Sequence, residues 1–502
     1  MNLPAWAEIA VNFNRGNPMG SVESLPLLIN GDWIHSKGDV IVSVNPATGE
    51  TNHLVCTATP EEVDQAVEVA GRAAATAKWR DLLPHLRATI LHRISELMNA
   101  NADRFARLQM IENGKVWSEC VAQVKSAAAT FSYFAGVCES LSSELTPARG
   151  NYISMATYEP YGVVAAITPW NSPMTMEAQK VAPALAAGNA VILKPSEITS
   201  AAALELGRIA LEAGLPPGLL NVLPGNGAIT GVALVEHPGV KMVSFTGGTA
   251  SGKRIAQSAA GKLMPVALEL GGKSPHIIFA DADLKAAVNS VIGGIFEASG
   301  QSCVAGSRVF IQCNVYKEVL EALVAVAGRL RVDQPDVPGA QMGPIASFPH
   351  RERIEKMVEG ARAKGAKIVT GGARPTDNRL SAGAFYMPTI VDGIDNRASI
   401  AQEEIFGPVL CALPFNDEED LIRQANDSVY GLAAGVWTAD YRRAWRVARQ
   451  LEAGTVWINT YKQLSISTPF GGYKQSGLGR EKGVSGLRLY QQTKSIYMGL
   501  DA

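Results

Sequence analysis

The sequence predicts an α/β protein containing two parallel-sheet units in succession and a β arm. From Gly162 onward, the apolar runs GVVAAITP, AVILKP, LLNVLP and KMVSFTG alternate with Ala- and Leu-rich segments, leaving the room for crossover helices that parallel strands require. A second series of the same texture starts near SPHIIFADADLKAAVNSVIGGIFEASG and runs through SRVFIQ, AKIVTGG and GTVWIN. The closing LRLYQQTKSIYMGL alternates apolar and polar residues with no sequence neighbour to pair with, which directs it to the hairpin-like stretch 141–160. At 502 residues, the chain is larger than one hydrophobic core usually supports, so two or three domains are expected.

The elements follow in order. The first twenty residues lack the basic start and apolar core of a signal peptide, and no apolar run reaches membrane-spanning length; a cytoplasmic protein with a loosely held N-terminal tail is expected. Thr59, Pro60 and Glu62 fit an N-cap, a first-turn proline and a capping-box acid, and Val63, Ala66, Val67 and Ala70 repeat at helical spacing behind them. Further helical patterns cover roughly 85–113 and 115–140. Two strand-like runs flank Ala148–Asn151, a hairpin of the kind that meets another subunit or domain.

Composition narrows the partners. Lys+Arg 45 against Asp+Glu 47 gives a formal charge of −2 with no run of like charge, so neither nucleic acid nor membrane is expected and a small molecule is. Six cysteines without a C-x-x-C pair fit a reducing compartment and no thiolate metal site.

Ligands of parallel sheets bind at the carboxyl ends of the strands, which singles out Asn171, Lys194 to Glu197, Gly225 and Gly247. GGTASGKR at 247–254 nearly matches a phosphate-binding P-loop but ends in Arg254 where a Ser/Thr hydroxyl is needed, and the last glycine interval of PGNGAITG is one residue too long for a dinucleotide fingerprint. A strand running into glycines at a helix N-terminus nonetheless exposes N–H groups and a positive dipole end to phosphate. Gly247–Gly248 is therefore a candidate pyrophosphate site or simply a tight turn. In LKPSE, Lys194 and Glu197 fit ribose hydroxyls, or else a helix cap beside a solvated lysine.

GQSCVAGSR (300–308) places Cys303 in a small, glycine-rich setting. None of the seven histidines sits in a G-x-S-x-G or H-E-x-x-H pattern, so a reactive Cys303 has to be activated by position and dipoles. A free thiol is already roughly 3% ionised at neutral pH, so full deprotonation adds at most about 30-fold. One oxyanion-hole donor is worth about 10²- to 10³-fold. The Asn171 amide and the Cys303 N–H are the donors that matter most, unless Asn171 caps the helix after Pro173 and Cys303 is an inert buried thiol.

PWN (169–171), LKPSE (193–197), FTGGT (245–249), LELGGKSP (268–275), GQSCVAGSR, EEIFGPV (403–409) and PFGGYKQSGLGRE (469–481) occur in the order and spacing of the aldehyde dehydrogenase superfamily, which the chain resembles from about residue 27 to its end. The resemblance implies a Rossmann-like parallel-sheet cofactor domain (1–140 and 161–269), a second α/β catalytic domain (270–478) and a β oligomerisation arm (141–160 and 479–502). It further implies that Cys303 attacks the aldehyde, that Asn171 and the Cys303 N–H hold the oxyanion, and that Glu269 activates the water that hydrolyses the thioester. Thr168, Trp170, Lys194, Ser196, Glu197, Gly227, Thr246, Gly247, Gly248, Leu270, Glu404 and Phe406 are implied at the cofactor. Glu197 at a ribose repels the extra phosphate of NADP, so NAD is expected. Gly248 stands where many members carry serine, which removes one phosphate contact and leaves backbone donors.

By the same register the substrate pocket draws on Ser172, Met176, Gln179, Ser302, Lys462 and Leu464, while Gly300 lets the backbone approach the substrate. No aromatic cage for a quaternary ammonium is evident. Lys462 points to an anionic or hydroxylated aldehyde, or is a solvent-facing loop lysine. Glu481 orients Lys180 or a water, or caps a loop. The competing readings are a CoA-acylating relative, which typically lacks the glutamate of LELGGK; a phosphotransferase, disfavoured by Arg254; and a non-catalytic protein on the same scaffold. A homodimer or homotetramer is expected from the arm.

Overall fold

Helix Pro60–Ala75 starts as its sequence dictates: the Thr59 hydroxyl accepts from the Glu62 N–H and the Glu62 carboxylate accepts from the Thr59 N–H, satisfying two donors that a helix end otherwise leaves orphaned. Its stripe of Val63, Ala66, Val67 and Ala70 is buried in the core of the first sheet. The computed structural model describes residues 24–500; the N-terminal tail expected from the sequence lies outside the described residues.

The first sheet has eight strands. Its centre is parallel, in the order Val266–Glu269, Met242–Thr246, Val163–Ile167, Ala190–Lys194 and Leu220–Val222. The chain enters this set in the middle, builds outward to one side, then crosses back. The resulting switch point lies between Val163–Ile167 and Met242–Thr246, where a crevice opens at the strand ends. Val163–Ile167, Ala190–Lys194 and Met242–Thr246 are buried at every position, because helices cover both faces; this is why their sequences are apolar runs and not alternations. Antiparallel strands extend the sheet, Leu27–Ile29 and Asp32–Ile34 at one edge and Gly477–Leu478 at the other.

The second sheet has seven strands: Lys367–Thr370, Thr389–Asp392, Val409–Phe415, Arg308–Gln312, Pro275–Ile278, Ala433–Trp437 and Thr455–Ile458. All pairings are parallel except that of Lys367–Thr370 with Thr389–Asp392. Two strands, Glu144–Thr146 and Tyr152–Pro160, form the hairpin after helix Trp117–Ser140, and the final strand Gln491–Gly499 pairs along the whole of Tyr152–Pro160, from Gln491 opposite Pro160 to Gly499 opposite Tyr152. Among the described residues no helix is long and apolar enough to cross a membrane.

Candidate active site

A cavity of about 760 Å³ gathers the ends of the first sheet's strands and loops of the second, within the range of small-molecule sites. Strand Val163–Ile167 leads into Asn171, Met242–Thr246 into Gly247 and Gly248, and Val266–Glu269 into Glu269 and Leu270; all of these line the wall with Cys303. The helix after Gly248, Thr249–Ala260, turns its N-terminus into the cavity, and a methyl group at Gly248 would meet only open space.

Cys303 is carried by an unusual turn. Helix Leu284–Phe296 ends in three consecutive left-handed residues, Ala298, Ser299 and Gly300, at φ +57°, +53° and +70°, a conformation that costs a non-glycine residue roughly 1–2 kcal/mol. Three buried bonds hold it there. The Ala298 N–H donates to the Glu119 carboxylate at 2.9 Å, the Ser299 hydroxyl to the Gly343 carbonyl at 2.8 Å, and the Ala346 N–H to the Gln301 side chain at 2.9 Å. Gly300 does not face the cavity as the sequence suggested: a Cβ there would lie 2.2 Å from the Gly407 backbone, so its close approach joins the cysteine turn to the loop of Glu404 and Phe406. Gly271 and Gly272 serve the same end. The Gly272 N–H donates to Glu404 at 2.9 Å, and a Cβ on Gly271 would strike that carboxylate.

The Asn171 amide donates to the Gln301 carbonyl at 2.9 Å, which leaves its second N–H available to the cavity. It is not a helix cap; Ser172 holds that position before Pro173–Ala186, without a side-chain bond. Glu269 is 5% exposed, and neither carboxylate oxygen has a hydrogen-bond partner among the described residues. Burial first, and then the Glu481 charge, hold its carboxyl well above the usual range. Burial also pushes the Cys303 thiol up to about 12, with the charges of Glu269 and Glu404 adding to it and the N–H groups of Val304 and Cys303 opposing. Both shifts favour the uncharged form. Glu481 takes the first of its sequence alternatives: its carboxylate lies 2.6 Å from the Lys180 ammonium, both fully buried, and Lys180 also donates to the Ser244 hydroxyl at 3.1 Å.

The positions assigned to the cofactor fall into two groups. Trp170, Thr246, Gly247, Gly248, Leu270, Glu404 and Phe406 line the cavity. Trp170 stands edge-on to Phe406 at 5.3 Å, and Phe406 adopts a left-handed φ of +58° while its carbonyl accepts from His350 Nε2–H at 2.7 Å. Thr168, Lys194, Ser196, Glu197 and Gly227 lie beyond this wall. Lys194 is buried, donates to the Pro195 carbonyl at 2.9 Å and stands 3.8 Å from Glu197, so it is not the solvated lysine of the alternative reading. Gly227 opens a short π-helical turn capped by Asn226. The site fits a dinucleotide on its own polar inventory: the Thr168, Thr246 and Thr249 hydroxyls are buried without partners, beside a helix N-terminus suited to phosphate.

Of the substrate positions, Ser172, Met176, Gln179, Ser302 and Leu464 line the cavity. Lys462 does not. Its Nζ donates to the Gly293 carbonyl at 3.1 Å and lies 3.9 Å from Glu297, directed away by a left-handed φ of +55°. Sequence reasoning missed Gln123, which donates to the Ser172 hydroxyl at 3.2 Å, and also His350, Ile466, Phe470 and Lys482. Phe470, inside the PFGGYKQSGLGRE motif, and Lys482, next to its last residue Glu481, had a nearby signal. The Lys482 backbone sits at φ +60°, ψ 171°, a region nearly reserved for glycine that costs about 1–3 kcal/mol. Reciprocal Phe470–Glu481 backbone bonds of 2.8 Å and the Gly483 N–H on the Ile466 carbonyl at 2.8 Å maintain it.

Comparison with known proteins agrees across nearly the whole chain. The sequence model of the aldehyde dehydrogenase family matches residues 33–496. The Bacillus subtilis (strain 168) protein DhaS, provisionally named an aldehyde dehydrogenase, is 40% identical over 477 residues, 95% of this chain and 96% of that protein. A point mutant of betaine aldehyde dehydrogenase from Staphylococcus aureus, solved with NAD+ and a BME-modified cysteine, superposes with a TM-score of 0.94 at 37% identity over 96% of this chain and 97% of that one. A point mutant of an aldehyde dehydrogenase from Bacillus cereus gives a TM-score of 0.94 at 36% identity, covering all of both chains.

Proposed function

The chain belongs to the aldehyde dehydrogenase family, and from that premise we propose that it oxidises an aldehyde to the carboxylic acid with NAD as hydride acceptor, through a covalent intermediate on Cys303. The observation that carries this reading is the meeting of Cys303, Asn171 and the unpartnered Glu269 in one cavity. A BME-modified cysteine in the NAD+ complex of the Staphylococcus aureus enzyme supports a reactive thiol at such a site.

Cys303 and Glu269 act in turn, because a charge on either disfavours a charge on the other. Cys303 passes its proton to water as its sulfur attacks the carbonyl carbon, and the free Asn171 N–H with the Cys303 N–H holds the alkoxide that forms as the carbonyl π bond opens. Bound NAD supplies the hydride acceptor. At the thioester stage the Glu269 carboxylate draws a proton from water as that water attacks the thioester carbon, and the proton returns to the departing Cys303 thiolate, releasing the acid and restoring the thiol. Glu269 favours water over a CoA thiol as the acceptor. For NAD, Trp170, Thr246, Gly247, Gly248, Leu270, Glu404 and Phe406 line the cavity side, and Thr168, Lys194, Ser196, Glu197 and Gly227 continue the path beyond it.

The domain boundaries stated above, a cytoplasmic location and a homodimer or homotetramer joined through the 141–160 and 479–502 arm complete the proposal. Six unpaired cysteines support the first compartment, and exposed Leu145, Tyr497 and Met498 on the arm support a partner surface. The polar wall of Ser172, Gln179, Gln123 and Ser302 supports a polar aldehyde. The test is NADH formation with rapid mixing: Cys303→Ala abolishes burst and turnover, whereas Glu269→Gln retains part of the burst and slows the steady state. Equal loss of both in Glu269→Gln overturns its role in thioester hydrolysis, and no NADH from any aldehyde overturns the reading.

A further inference from the structure

Lys482 brings a buried amine to the cavity wall, where burial pulls its pKa down and the charges of Glu481, then Cys303 and Glu269, oppose that shift. It is 6% exposed, lines the cavity with Cys303, and makes no hydrogen bond or ion pair among the described residues. Its Nζ stands 5.4 Å from the Phe470 ring centroid, a cation–π contact that stabilises the ammonium without using its three N–H donors. Among the other charges facing this space, one Glu481 oxygen is held by Lys180; burial holds the Glu269 carboxyl well above its usual range; Glu404 accepts from the Gly272 N–H; Arg353 donates to the carbonyls of Glu404 and Ile405 at 2.9 and 3.1 Å; and Glu403 lies at the exposed rim. Buried N–H donors without an acceptor are costly unless a ligand supplies one, and here an otherwise glycine-like backbone, fastened at both neighbours, holds the Lys482 side chain in place.

We propose that Lys482 determines substrate class: its ammonium receives the carboxylate of a short carboxylated aldehyde whose other end meets Cys303. The inference rests on the aldehyde dehydrogenase reading and adds the charge of the substrate to it. It replaces Lys462, which is turned onto Gly293 and Glu297, as the source of anion selectivity. It also sets this chain apart from its betaine aldehyde dehydrogenase neighbours, since a trimethylammonium group would meet a like charge.

The experiment compares kcat/KM for succinic semialdehyde, butanal and betaine aldehyde in the wild type, Lys482→Met and Lys482→Arg. The wild type favours the carboxylated substrate over butanal at least tenfold and uses betaine aldehyde least. Lys482→Met removes that tenfold preference and Lys482→Arg keeps most of it. An unchanged ratio in Lys482→Met, or an equal fall for charged and neutral aldehydes, overturns the proposal. A second measurement needs only the wild-type protein without cofactor: butyrate slows alkylation of Cys303 by iodoacetamide and butyramide does not. Equal protection by both also overturns it. Because alkylation requires no turnover, failure of the oxidation reading shows as absent NADH with butyrate protection intact, whereas failure of the Lys482 assignment shows as the reverse.

Discussion

The two walls of the cavity are made differently. One is backbone and small polar groups at the ends of regular strands: Gly247, Gly248, the N-terminus of Thr249–Ala260 and the Thr246 hydroxyl, which has no hydrogen-bond partner among the described residues. The other is side chains delivered by loops remote in sequence, with Gln123 from helix Trp117–Ser140, and Leu464, Phe470 and Lys482 from irregular segments. The first kind of wall recognises what every nicotinamide dinucleotide shares. The second can be changed residue by residue without disturbing a strand, so discrimination among aldehydes belongs there, and Cys303, Glu269 and Asn171 stand where the walls meet.

That contrast can be broken most forcefully at the junction. Asn171→Ala removes one donor to the alkoxide and should lower kcat about 10²- to 10³-fold, while NAD binding, followed by fluorescence titration, changes little; a parallel loss of NAD affinity would show that the junction belongs to the nucleotide wall. A second, smaller effect concerns protonation. With the Cys303 thiol pushed up to about 12, the reactive thiolate of the cofactor-free protein is still a minor species at pH 9, so iodoacetamide labelling should rise about tenfold per pH unit from pH 7 to 9. A plateau near pH 8 would mean that burial does not control the thiol. The smallest effect tests the backbone wall alone. Gly248→Ser adds a hydroxyl in open space at the helix N-terminus, and a single hydrogen bond of about 0.5–1.5 kcal/mol should tighten NAD by roughly threefold in calorimetry. A change in the preference among aldehydes from this substitution would abolish the division of labour.

The same division explains what could be read from the chain. Strands such as Val163–Ile167 and Ala190–Lys194 announce themselves because burial on both faces leaves an unbroken apolar run, and the residues just after them then become suspects through the geometry of parallel sheets. Strands Thr389–Asp392, Val409–Phe415 and Ala433–Trp437 are less legible, because Pro414 and Gly435 interrupt their apolar runs and loops and short helices separate them. Lys462 and Lys482 show the limit more sharply. Both are lysines in loop sequence, and only three-dimensional placement, with Lys462 Nζ on the Gly293 carbonyl and Lys482 over Phe470, tells which one faces the cavity. Gly300 is similar: its need for a positive φ is legible, but the Gly407 backbone that it meets lies more than a hundred residues away in the chain.

The Glu481–Lys180 pair reaches further than the cavity wall. Lys180 donates to the Ser244 hydroxyl, Ser244 also receives the Tyr490 hydroxyl at 2.9 Å, and the Tyr490 carbonyl accepts from Asn189 at 3.0 Å. Tyr490 is the residue just before the final strand Gln491–Gly499. The root of the protruding β ribbon is thus anchored by a buried chain of contacts that ends beside Glu269. Displacing that root breaks the Tyr490–Ser244 bond and disturbs the Lys180–Glu481 pair that Ser244 supports, so the ribbon's anchorage and the electrostatic setting of Glu269 are linked.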